Sequence, residues 1–276
     1  MATENGVSNG MNPLVIQPGK ATVVLGAQWG DEGKGKIVDL IAQKADLIAR
    51  CQGGNNAGHT VVVGEKVYDF HLLPSGVIQE KAICIIGNGV VLNLPALFAE
   101  IAKNGIDSQP MWEKRLVLSE ECHLVFSFHM EMDRVMEEAL KGRTGDPNQQ
   151  LGTTRKGIGP TYAAKMLRKS LRLADLVNGD FDADFGAKFK SLVDFYKAAF
   201  PGIQVDVNTE LETYRQLSKR LKSLGVVRDL VEFLCGELKF GKRLLVEGAN
   251  GALLDIDFGT FPFVTSSNCS IGGAIT

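Results

Sequence analysis

The sequence predicts an α/β fold: a largely parallel central sheet flanked by helices, opened by a strand–glycine loop–helix unit like a phosphate-binding loop. Two observations carry this. ATVVLGA (21–27) is a β-branched run ending in glycine, and a glycine-rich segment joins it to Lys34–Gln43, where Ile37, Leu40 and Ile41 recur at helical spacing. Further short apolar runs then alternate with helical patterns, with no repeat and no low-complexity linker, as in βαβ architectures. In such sheets ligands gather at the carboxyl ends of the strands.

In chain order, residues 1–20 contain Gly, Asn, Pro and Ser without an apolar core or an arginine, and read as a flexible leader rather than a signal or transit peptide. Residues 21–276 read as a single nucleotide-binding α/β domain with a helical insertion at about 160–240. Leu47–Cys51 is the second strand and runs into QGGNNAGHT (52–60). VVV (61–63) and KVYDF (66–70) form a hairpin around Gly64-Glu65. AICIIG (82–87) is a buried strand, followed by a helix from Pro95 to Lys103. Gly87, Asn88, Gly89, Asn93 and Pro95 interrupt this apolar stretch, so it is not a membrane span. RLVLS (115–119) is a strand and 129–141 a helix. Thr144 to Tyr162 reads as loop. Helices follow at 162–168, 184–199, 209–224 and 227–238. KRLLVEGANGALLDIDFGT (242–260) opens as a strand and breaks at Gly248. SSNCSIGGAIT (266–276) reads as the middle of an element, so a fragment or shortened form is expected.

The bulk numbers are those of a soluble globular chain: 276 residues, 45% hydrophobic, 22% charged, net charge −2. No basic excess points to nucleic acid or an anionic membrane. The five cysteines are dispersed without a C-x-x-C pair, which predicts reduced thiols, a cytoplasmic location and no zinc site.

VVLGAQWGDEGKGKIVDL (23–40) carries the chemistry. Gly30 to Lys36 spells G-x-x-x-x-G-K, but Ile37 stands where phosphate loops place the Ser or Thr that holds Mg²⁺. Glycines here let backbone N–H groups turn toward an anion, and Lys34 and Lys36 add charge. The alternative is a plain tight turn. Asp31 would repel a polyphosphate unless it grips Mg²⁺ or acts as a base on a second substrate; a helix-capping role is the competing explanation. QGGNNAGHT offers Gln52, Asn55, Asn56, His59 and Thr60, suited to reading a base or cradling an oxyanion, with His59 able to donate a proton. His71, His123 and His129 lie in or beside hydrophobic sequence and read as structural. LGTTRKGIGP (151–160) fits a loop that closes on phosphate, or a solvated surface loop. Glu247 ends a buried strand as at a ligand-facing edge, while Asp255 and Asp257 read as loop caps.

Taken together, WGDEGKGK (29–36), QGGNNAGHT (52–60), HLLPSG (71–76), IGNGVV (86–91), LGTTRKGIGP (151–160) and EGANGALLDIDFGTFPFVTSSN (247–268) resemble the adenylosuccinate synthetase family, in its order, from about Ala21 onward. That resemblance implies a GTP-driven, Mg²⁺-dependent condensation of IMP with L-aspartate to adenylosuccinate, the step committing IMP to AMP. It implies that Asp31 takes the N1 proton of IMP and ligates Mg²⁺, and that His59 is the general acid. The 6-oxygen would then accept the γ-phosphate, and the aspartate amine would displace the phosphate at C6. Gly30, Asp31, Glu32, Gly33, Lys34, Gly35, Lys36, Gly58, His59 and Thr60 would bind GTP. Asp31, Lys34, Asn56, Ala57, His59, Thr154, Arg168, Asn250 and Thr265 would bind IMP. The Gly58 carbonyl would join Asp31 on Mg²⁺. Arg168 would act across a homodimer interface. The family continues beyond Thr276 with its aspartate-binding and guanine-reading motifs, so poor stability is expected of the chain alone. The competing functions are an inactive short form that pairs with intact subunits, and another P-loop nucleotidase of the amidoligase type.

Overall fold

The computed structural model describes residues 16–144 and 152–275. In chain order its elements are β1 (Ala21–Val24), α1 (Lys34–Ala42), β2 (Leu47–Arg50), β3 (His59–Val63), β4 (Lys66–Phe70), β5 (Ile83–Ile86), β6 (Val91–Leu92), α2 (Leu94–Lys103), β7 (Leu116–Ser119), β8 (His123–Leu124) and α3 (Ser127–Thr144). Then come α4 (Ile158–Leu167), α5 (Leu173–Val177), α6 (Ala187–Ala199), α7 (Val207–Leu224), β9 (Val227–Arg228), α8 (Leu230–Lys239), β10 (Leu244–Glu247) and α9 (Ile271–Ile275).

Six strands form one sheet in the order β1-β10-β2-β5-β7-β9, and every adjacent pair is parallel. A parallel sheet needs both faces covered, and the side-chain alternation provides it. Ile48, Cys84, Ile86, Leu116, Leu118 and Leu245 join the larger core, together with residues of α1 and α2. The residues between them, Leu47, Ala49, Ile85, Val117, Leu244 and Val246, face the other way and pack on Phe233, Leu234 and Leu238 of α8. β10, late in sequence, enters between β1 and β2. Its register sets Val24, Glu247, Arg50 and Ile86 in one row at the carboxyl ends of four neighbouring strands.

β3 and β4 form the expected hairpin. Asn93 caps α2 by accepting the Ala96 N–H at 2.9 Å, with Pro95 in the first turn. Three expectations are corrected. The helix expected over 227–238 is a strand pair followed by a helix: Val227 and Arg228 pair with Leu118 and Ser119, and Asp229 caps α8 through the Val231 and Glu232 amides. The loop expected through Tyr162 ends earlier, because α4 starts at Ile158 and takes Pro160 into its first turn, where a missing N–H costs nothing. The region 160–240 is rich in helices, but β9 within it belongs to the main sheet. Of the leader, residues 1–15 lie outside the described residues. Ile16 is buried in the core and the Gly19 N–H donates to the Lys242 carbonyl at 3.1 Å, so attachment begins before Ala21. Among the described residues no helix is long and apolar enough to cross a membrane.

Candidate functional site

A cavity of about 430 Å³ lies at the carboxyl ends of β1, β10 and β2, within the usual range for a ligand site. Each strand sends a loop to it. The β1 loop contributes Trp29, Gly30, Asp31 and Gly33, continuing into Lys34, Gly35 and Lys36 at the start of α1. After Arg50, the β2 loop brings Asn56, Ala57, Gly58, His59 and Thr60. From β10 come Glu247, Gly248, Ala249 and Asn250.

Two close backbone approaches fix these loops. The Ala252 and Leu253 amides donate to the Gly26 and Gln28 carbonyls, each at 3.0 Å. A Cβ on Gly251 would stand 2.2 Å from the Gln28 oxygen and 2.5 Å from the Gly30 nitrogen, so only glycine lets the chains meet. Gly33 precedes α1 at φ 80°, and no side chain caps the helix. The Lys36 N–H donates to the Gly33 carbonyl at 3.0 Å, and the Lys34 and Gly35 N–H groups are left for an anion, beside the Lys34 and Lys36 side chains. The Lys34 ammonium donates to the Asn250 carbonyl at 3.1 Å. Asn250 holds a left-handed φ of 61°, and its side-chain oxygen is buried without a partner, an acceptor left for a ligand.

Asp31 is exposed on the cavity wall and has no hydrogen bond or ion pair among the described residues. Glu32 turns away: its carboxylate accepts the Gln28 N–H. Desolvation raises the Glu32 pKa, but amide donors and Lys34 outweigh it and hold it low. His59, at the head of β3, lies against Phe70, ring centroids 5.7 Å apart. Its Nε2 is 2.7 Å from Ser75 Oγ, and Ser75 donates to Glu247 Oε1, also at 2.7 Å. Burial lowers the His59 pKa; Glu247 opposes this, while Arg50, Lys34 and His71 add to it.

Most residues expected from sequence meet here: Gly30, Asp31, Gly33, Lys34, Gly35, Lys36, Asn56, Ala57, Gly58, His59, Thr60 and Asn250. Thr265 adjoins them by accepting a hydrogen bond from Asn56 Nδ2 at 3.3 Å. Thr154 is exposed and off the cavity wall, although Lys156, two residues on, reaches the Asn55 carbonyl at 2.7 Å. Arg168 ends α4 at a left-handed φ of 58°, exposed and also off the wall.

Gln52 departs from its expected role. Its amide accepts the Ala249 N–H and donates to the Ala249 carbonyl, both at 2.8 Å, so it ties two loops instead of reading a base. Asp255 is a loop cap, as expected, accepting from the Asp257, Phe258 and Cys269 amides. Arg50 and Ser75 are additions that no pattern singled out. Arg50, buried, donates to the His71 and Gly54 carbonyls, and burial lowers its pKa. The available signal was a cation inside an apolar strand, LIAR.

Among the described residues no three His, Cys, Asp or Glu side chains cluster to hold a metal. Asp31 and the Gly58 backbone nonetheless share the cavity wall. One unpartnered carboxylate and one carbonyl suit Mg²⁺, which completes its shell with water and phosphate oxygens.

The adenylosuccinate synthetase family profile matches residues 23–276. The chain is 52% identical over 259 residues to adenylosuccinate synthetase of Caenorhabditis briggsae, covering 93% of this chain and 58% of that protein. It is 54% identical over 257 residues to that of Drosophila mojavensis, covering 93% and 55%. A solved structure of fully ligated adenylosuccinate synthetase from Plasmodium falciparum superposes with a TM-score of 0.83 at 39% identity, covering 92% of this chain and 57% of that one. The chain thus spans little more than half the length of the relatives it matches. With its motifs, sheet and glycine loop all in agreement, the chain belongs to the adenylosuccinate synthetase family.

Proposed function

We propose that this chain carries the nucleotide-binding and phosphoryl-transfer part of a GTP-dependent ligase that joins IMP and L-aspartate into adenylosuccinate. The observation that carries the reading is that Asp31 and His59, from different loops, line one cavity with the glycine loop and the unpartnered Asn250 oxygen.

The chemistry follows from the acceptor. A purine carbonyl oxygen is a weak nucleophile until the ring loses its N1 proton. Asp31, unpartnered and facing the cavity, is the base that takes it. The 6-oxygen then accepts the γ-phosphate and becomes a leaving group that the aspartate amine displaces. The α1 N-terminus with Lys34 and Lys36 holds phosphate charge through N–H groups and ammoniums. His59 serves as proton donor beside the transferring group. Asn56, Asn250 and Thr265 hold IMP, with Thr154 closing from its loop. Asp31 and the Gly58 carbonyl would hold Mg²⁺, which when bound would supply neutralisation of phosphate charge. Arg168, exposed and without an ion pair among the described residues, is suited to reach IMP in a second subunit of a homodimer. Five unpaired cysteines support a cytoplasmic setting.

Positional isotope exchange tests this without aspartate. GTP labelled at the β–γ bridge should scramble its label only when IMP is present. Scrambling without IMP, or none with it, contradicts the proposal.

A further inference from the structure

Helix α3 carries two buried carboxylates, Asp133 and Glu137, one turn apart on the same face. Neither has an ion pair among the described residues. Like charges at this spacing repel and weaken a helix, so the pair does not serve the stability of α3 itself. Burial raises the Asp133 pKa and Glu137 adds to the rise, while the Gly157 N–H opposes it.

The partners of both are backbone amides of one loop. Asp133 Oδ2 accepts the Gly157 N–H at 2.7 Å, and Glu137 Oε1 accepts the Thr153 N–H at 3.3 Å. These two amides bound the arc 153–157, with Thr154, Arg155 and Lys156 between them. Gly157, at φ 72°, also sets how close the arc lies: a Cβ there would stand 2.9 Å from the carbonyl carbon of His129 and from the Met130 nitrogen. In the middle of the arc Arg155 holds a left-handed φ of 53°, and Lys156 Nζ donates to the Asn55 carbonyl at 2.7 Å, one residue from Asn56 on the cavity wall. The arc is thus held from α3 at both ends and touches the β2 loop in between.

We infer that Asp133 and Glu137 are positioning residues that pin the two ends of the arc 153–157, so that Thr154 meets IMP from a set loop. The inference deepens the proposed IMP site and rests on it for its functional meaning. Carboxylates suit the task because an ionised acceptor binds an amide N–H more strongly than a neutral one. Asp133 does a second thing by the same bond. The Gly157 carbonyl accepts the Thr161 N–H at 3.0 Å and the Thr161 hydroxyl at 2.7 Å, so fixing Gly157 fixes where α4 begins.

Amide hydrogen exchange of the full chain, read by NMR beside calorimetric titrations of IMP and GTP, decides this. In the unmodified chain the Thr153 and Gly157 amides should be protected; exchange of both at the rate of an unstructured peptide overturns the inference. Asp133→Ala should speed Gly157 exchange and weaken IMP binding, each about tenfold, with GTP affinity unchanged. Asp133→Asn keeps an acceptor oxygen and should regain most of the IMP affinity. Unchanged IMP binding beside faster Gly157 exchange overturns the positioning role, and so does an equal loss of IMP and GTP. Should Asp133→Ala fail to fold, Glu137→Ala removes the other pin: Thr153 exchange and the IMP dissociation constant should each rise roughly threefold, GTP affinity again unchanged, and Glu137→Gln should restore both. Exchange needs no bound nucleotide. An unmodified chain with both amides protected, and released by these variants, that binds no IMP therefore refutes the ligase reading alone, while the two pins stand.

Discussion

Asn56 donates to Thr265 at 3.3 Å, closing a gap of 209 residues between two loops that flank the cavity. The contact is only part-buried, so its own worth to the fold is modest, about 1 kcal/mol. Its larger effect is to set two polar groups at a common ligand. Asn56→Ala and Thr265→Ala are each expected to weaken IMP binding roughly five- to tenfold. The double variant should lose less than the product of the two, since the residues are coupled. Calorimetric titration of IMP checks both the losses and their shortfall from additivity.

Gly251 controls how closely the β10 loop meets the phosphate loop. The atoms a Cβ would strike are backbone and cannot rotate aside. Gly251→Ala is expected to cost at least about 2 kcal/mol in urea unfolding. GTP affinity should fall with it. Wild-type stability in this variant would mean that the loops are not held as described.

Gln52→Leu tests the reassignment of that residue. Both Ala249 backbone groups would lose their partner in a buried place. Each orphaned group costs about 1–3 kcal/mol, so the unfolding free energy should drop by about 2 kcal/mol or more. A residue that only read a ligand would leave the ligand-free stability unchanged.

His129 gives a stability that depends on pH. It is fully buried, accepts the Phe126 N–H on Nδ1, and has no partner for Nε2. Burial lowers its pKa from 6.5 to about 3. The unfolded chain therefore binds this proton first as pH falls. Stability is intact above pH 6.5 and declines by about 1.4 kcal/mol per pH unit below it, until the folded value near 3 is reached. His129→Leu should flatten that decline by one proton's worth. Urea titrations of both proteins at pH 7 and 5 measure the difference in slope, and identical slopes would contradict the assignment.

The sheet was legible because its strands are short apolar runs, several of them running into glycine-containing loops, and five of the six were located from such runs. β9 was not, since two residues carry no periodicity and the helix after them supplied a stronger pattern. The strand order was equally invisible: β10 enters between β1 and β2 through contacts 197 residues apart, such as Gln52 with Ala249. The site's glycines, lysines and amides stood out because their types are unusual at such density. Arg50 and Ser75 did not, because their roles come from being buried behind those loops. Gln52 was misread for the opposite reason, an amide in a ligand-facing segment whose two shortest bonds run to the Ala249 backbone.

Asp31→Asn tests the central claim most directly. The substitution keeps shape and removes the base, so GTP binding by calorimetry should persist while IMP-dependent isotope scrambling disappears. Scrambling at the wild-type rate in this variant, with GTP still bound, would show that Asp31 is not the group that makes the purine oxygen a phosphate acceptor.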